Sequence, residues 1–143
     1  MQNRHYHQQS LAGSNPVELI VALYDGMARF LNRAIAATEA GDVQARRVAV
    51  KRVLDILMHL QSRLRMEVGG PARTLAEFYA AVFALCLEGS RLSSSDRFRE
   101  AVRCVLNVRE AWQQVARDPE VCAMYAPPSG PGSEATSVSG WTI

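Results

Sequence analysis

Residues 15–42 read NPVELIVALYDGMARFLNRAIAATEAGD, and the architecture can be argued from them. Asn15 offers a short polar side chain to the first free N–H groups of a helix, Pro16 suits the first helical position, and Glu18 completes a capping box. Ile20, Leu23, Tyr24, Met27, Phe30, Leu31, Ala34 and Ile35 then recur at three- and four-residue spacing, which gathers them on one helical face. Gly41 supplies the residue that can turn left-handed at a helix end, and Asp42 caps a second helix. The stretch therefore predicts a helix from Pro16 to about Ala40 that passes into its neighbour with almost no loop.

That second helix carries Val50, Val53, Leu57, Leu60 and Leu64 on one stripe and is predicted to end at Gly69-Gly70-Pro71. Thr74-Leu75-Ala76-Glu77 reads as a second capping box, opening a helix with Leu75, Phe78, Tyr79, Val82, Leu85 and Cys86 facing a core. Ser93-Ser94-Ser95-Asp96 offers several N-caps for a fourth helix, whose stripe is Phe98, Ala101, Val102, Val105, Val108, Trp112 and Val115. Helices of this length joined by short turns run antiparallel to their neighbours, so the fold class is all-α, an up-down-up-down four-helix bundle. The expected organisation is a flexible N-terminal arm over residues 1–14, the bundle over 15–117, and a disordered tail over 118–143, rich in proline, glycine and serine, that cannot bury enough apolar surface to fold. Trp141 near the end of that tail reads as unstructured.

Composition excludes several kinds of function. A net charge of +2 over 143 residues is far from polybasic, and the cluster Arg46, Arg47, Lys51 and Arg52 spreads around its helix without interleaved aromatics. It reads as a solvated face, and no nucleic-acid partner is expected. The first residues have no apolar core of the kind an export signal needs, and no run approaches the roughly 20 apolar residues that span a bilayer. Cys86, Cys104 and Cys122 form no C-x-x-C pair, so a reduced, cytoplasmic protein without membrane insertion is expected. His5, His7 and His59 assemble no ligand set, His59 reads as exposed, and neither Glu67 nor Glu77 precedes a histidine by three residues as a di-iron bundle requires. No metal, no cofactor and no catalytic residue is predicted.

Two features exceed what a bundle needs. Arg109 falls within the apolar stripe of the fourth helix, where a guanidinium must be paired; Asp25 or Glu18 of the first helix is the expected partner. The third helix also carries Ala76, Ala80, Phe83 and Leu87 about 100° from its core stripe, while the second adds Leu54 and Met58 and the fourth adds Leu106. This surplus apolar surface suits either a homodimer, in which the chain would be a regulatory or scaffold module, or a groove for an amphipathic helix of another chain. An all-α enzyme using Arg109 is a third reading.

Asn15-Pro16-Val17-Glu18-Leu19 followed by Leu23-Tyr24-Asp25-Gly26 resembles the opening of the FliS family, the flagellin-specific export chaperones. Gly41-Asp42 matches that family's first turn, Leu64-x-x-Glu67-x-Gly69-Gly70 the end of its second helix, Phe78-Tyr79 its aromatic pair, and Arg109-x-Ala111-Trp112 the close of its fourth helix. The resemblance covers residues 6 to 117. It implies a monomeric bundle, one to one with its client, whose groove receives the disordered C-terminal segment of flagellin, prevents premature polymerisation and keeps it competent for the flagellar export gate. The predicted client groove is Leu54, Met58, Ala76, Ala80, Phe83, Leu87 and Leu106. Tyr24, Asp25, Arg109 and Trp112 are expected to be structural, and Tyr6 matches an aromatic anchor with which the N-terminal arm covers part of the groove.

Overall fold

The computed structural model describes residues 16–66, 69–116 and 118–119. It contains four helices in chain order: α1 (Pro16–Glu39), α2 (Val43–Arg63), α3 (Pro71–Leu92) and α4 (Ser95–Gln114). Each packs on its sequence neighbour, and α4 returns against α1, so the four form a closed antiparallel ring around one core. The α1–α2 and α1–α4 seams are intimate, whereas α2 and α3 touch least of the four neighbouring pairs. The expected arm, and the expected tail apart from residues 118–119, lie outside the described residues, as do Asn15, Tyr6, Glu67, Cys122 and Trp141.

The core follows the apolar spacing. Ile20, Tyr24, Met27, Leu31 and Ala34 of α1, Val50, Val53, Leu57 and Leu60 of α2, Tyr79, Val82 and Cys86 of α3, and Phe98, Ala101, Val105 and Trp112 of α4 are all buried. No polar or charged residue is fully buried among the described residues. Apolar burial, worth about 1.5–3 kcal/mol for each large side chain removed from water, therefore carries the fold.

Two of the three turns use one device. At the end of α1, Gly41 adopts φ 72°. Its N–H donates to Thr38 O at 3.1 Å while Asp42 N–H reaches back to Ala37 O at 2.9 Å. Asp42 is at once the N-cap of α2, its carboxylate accepting from Ala45 N–H at 3.0 Å. At the end of α3, Ser93 takes the left-handed position with φ 52°, Ser94 N–H reaches Gly89 O at 2.9 Å, and Ser94 Oγ caps α4 by accepting from Arg97 N–H. In each hairpin the residues that end one helix begin the next, which leaves no slack.

The middle connection departs from the sequence reading at both ends. α2 stops at Arg63 because Leu64 turns extended and folds its side chain into the core. α3 begins at Pro71, not at Thr74, since Gly69 (φ 75°) and Gly70 (φ 38°) make the left-handed turn and proline's fixed φ then suits the first helical position. Thr74 sits within the first turn, its hydroxyl 3.4 Å from Gly70 O, and caps nothing.

Candidate functional site

Every residue expected to be structural lies toward one end of the bundle, where α1 and α3 begin and α4 ends. Tyr24 is surrounded by Phe78, Tyr79 and Trp112, with ring centroids 6.3, 6.2 and 6.5 Å away. Its hydroxyl donates to that of Tyr79 at 2.8 Å, so a diagonal pair across the core satisfies two buried phenols together. Burial pushes Tyr24 up to about 12, against the smaller opposing effect of hydrogen bonds with Tyr79 and Trp112.

Arg109 forms an ion pair with Asp25, not Glu18, through Nε and Oδ1, with a second contact from Nη2 to Oδ2 at 3.4 Å and a hydrogen bond to Gln113 at 3.1 Å. The pair is half-buried, and it joins α4 to α1 in the same way as Arg99 with Glu39 toward the other end of the seam. The guanidinium is thus held at the α1–α4 seam. His59, expected to be exposed, is half-buried; burial and then the charge of Arg63 pull it down to about 4. Burial also pushes the Cys86 thiol up to about 12, as for a small core hydrophobe.

The surplus apolar residues divide between two seams. Ile56 meets α1 at Gly26, so Leu54 and Met58, turned well away from Ile56 around the axis, lie on the flank of α2 that borders α3. On α3, Gly89 abuts the Phe98 ring of α4, and Ala76, Ala80, Phe83 and Leu87 lie about a third to a half turn from Gly89, on the flank that borders α2. Six of the seven expected groove residues thus share the α2–α3 seam, the loosest in the bundle. Leu54, Ala76 and Phe83 are partly buried and form a floor packed on the core. Met58 is 60% and Leu87 49% exposed, and with Ala80 they form the walls. A bond from Arg46 Nη1 to Ser93 Oγ, 2.9 Å long, ties α2 to the α3–α4 turn at the far end.

Leu106 does not belong to this seam. It lies seven residues after Arg99 and three before Arg109, both of which bond to α1, so it shares their face of α4 on the opposite side of the ring. Sequence periodicity measured how much apolar surface each helix had without saying which neighbour it faced. Conversely, Arg47, Lys51 and Gln61 continue the row of Leu54 and Met58 along the same flank of α2. Their spacing was visible in the sequence, but charge and polarity masked it as an ordinary solvated face.

The family model described as "Flagellar protein FliS" matches residues 1–119. The chain belongs to the FliS family. Relatives include proteins named flagellar secretion chaperone FliS from Campylobacter jejuni, 32% identical over 111 residues, and from Salmonella typhimurium, 29% identical over 111 residues. The match covers 77% of this chain and 87% of the Campylobacter protein, and 76% and 82% in the Salmonella comparison. A third, from Vibrio cholerae, is 23% identical over 106 residues, covering 73% of this chain and 78% of that protein. Membership of the FliS family makes this a flagellar secretion chaperone by type, and the names of these relatives denote chaperones and not enzymes. No described helix is long and apolar enough to cross a membrane.

Proposed function

We propose that this chain chaperones flagellin, receiving the disordered C-terminal segment of that protein in the α2–α3 groove as an amphipathic helix. The observation that carries the reading is the division of the seam into a half-buried floor, Leu54, Ala76 and Phe83, and exposed walls, Met58, Ala80 and Leu87. A helix with apolar side chains at i, i+3 or i+4 and i+7 would fill it, as in other helix-in-groove recognition. Covering that apolar stripe of the client keeps it from premature polymerisation in the cytoplasm. The ordering entropy of coupled folding, several kcal/mol, keeps the complex weak enough to release at the export gate. The working unit on this reading is a monomer bound one to one, for whose groove the N-terminal arm, with Tyr6, competes with the client.

Phe83→Glu tests it. A charge on the groove floor abolishes flagellin binding, read by isothermal calorimetry, while the melting temperature falls by only a few degrees. If Phe83→Glu unfolds the chain, the second stripe is core. Light scattering after size exclusion separates the reading from a homodimer, since a dimer that ignores flagellin would overturn it. Deleting residues 1–12 tightens client binding if the arm competes for the groove.

A further inference from the structure

Arginines on three of the bundle's seams do unlike things. Along α1–α4, Arg99 and Arg109 pair with Glu39 and Asp25; across α3 and α4, Arg97 pairs with Glu88 at 2.9 Å. Along α1–α2, Arg29, Arg33 and Arg52 are exposed, and among the described residues no carboxylate pairs with any of them. Asp55, the one carboxylate within α2, is bound to Lys51 at 3.0 Å. Instead, Arg29 and Arg33 lie over the ring of Phe30, 5.6 and 5.2 Å from its centroid.

The antiparallel register that sets Gly26 against Ile56 brings the turn holding Phe30 and Arg33 level with the turn of α2 holding Arg52 and Val48. Val48 is 52% exposed and Phe30 only partly buried. The result is a surface in which two guanidiniums lie over the Phe30 ring on α1 and a third, with an exposed valine, stands at the same level on α2, on a side of the ring of helices separate from the α2–α3 groove. We propose that this seam docks an acidic amphipathic helix of a partner protein, its carboxylates engaging Arg29, Arg33 and Arg52 and an apolar anchor covering Phe30 and Val48. Guanidiniums present paired donors matched to carboxylates, and an anchor within a charged rim is how protein interfaces are built. A nucleic acid fits less well. The charges span little more than one helical turn, the net charge of the chain is only +2, and a phosphate backbone has nothing to place on Val48.

The test uses the full chain and a synthetic amphipathic helix of about 14 residues with Glu at i, i+4, i+7 and i+11 around leucine anchors, beside the same peptide with Gln at each Glu. The Glu peptide binds, the Gln peptide binds at least about tenfold more weakly, and raising salt from about 50 to about 300 mM weakens the Glu peptide by a similar factor. Amide shifts in NMR centre on Phe30, Arg33, Val48 and Arg52. Arg33→Gln with Arg52→Gln weakens binding by at least about tenfold without moving the melting temperature, since neither side chain pairs with a carboxylate of another element. Equal binding of the two peptides, shifts centred on Leu54 and Phe83, full binding by the double variant, or displacement of the Glu peptide by a smaller amount of single-stranded poly(U) would each overturn the proposal. None of these outcomes would show that Phe83→Glu leaves flagellin binding intact, so the two proposals fail separately.

Discussion

A β-carbon at Gly89 would stand 2.8–3.0 Å from three atoms of the Phe98 ring, closer than unbonded carbons come, and Phe98 is fully buried with nowhere to move. Gly89→Ala is therefore expected to lose about 1–3 kcal/mol in chemical denaturation, and Phe98→Leu in the same chain to lose less than the two changes summed, because leucine vacates the ring edge. Tyr24 gives a pH signature. Its phenol ionises near 10 in the unfolded chain and at about 12 in the folded one, so its contribution is complete below pH 10 and is lost as pH rises from 10 to 12. That amounts to roughly 2–3 kcal/mol. Cys86, raised from 9 to about 12, begins the same loss one unit earlier. Urea unfolding between pH 9 and 12 should show the decline, and Tyr24→Phe should make it shallower between pH 10 and 12 while leaving the part that begins at pH 9. That Tyr24 is core was legible from its place in the stripe of α1. Its bond to Tyr79 was not, since it depends on which helices face each other across the ring.

The helix ends show how far local rules reach. Gly41 and Asp42 were readable because a left-handed position and an N-cap each demand particular residue types. The equivalent pair Ser93 and Ser94 was readable only as a choice among several, because serine signals a cap without saying which serine makes it. Thr74 was misread because a capping box is a local pattern, while the backbone had already entered the helix at Pro71. The two junctions predict opposite responses. Gly41→Ala forces a side chain into φ 72° with no contact to compensate and should lower stability by about 1 kcal/mol. Ser93→Gly relieves the same strain but gives up an exposed bond from Arg46, and should raise stability by a smaller amount, below about 1 kcal/mol. Thermal melts of both variants compare them directly.

Taken whole, the ring of helices, their order and nearly all of the core were legible because apolar spacing is a property of each helix alone. Seam assignments are properties of pairs, which is why Leu106 was grouped with residues on the far side of the molecule and Arg109 was left between two carboxylates. The pairing of Arg109 with Asp25 joins the first helix of the chain to the last, and Arg109→Met should weaken the fold by about 1 kcal/mol, a modest figure because the carboxylate keeps access to water. Denaturation at low and high salt should show that difference shrinking as salt rises. The two taut turns have a mechanical consequence. They make α1–α2 and α3–α4 stiff hairpins that meet along one tight seam, α1–α4, and one loose seam, α2–α3, which the exposed Arg46–Ser93 bond ties at one end. If the α2–α3 seam receives a helix as proposed, such a body would work as a clasp: the tight seam is placed to be its hinge, and a small rotation about it would widen the loose seam without breaking a turn, fitting the gap to the side chains of the helix it holds.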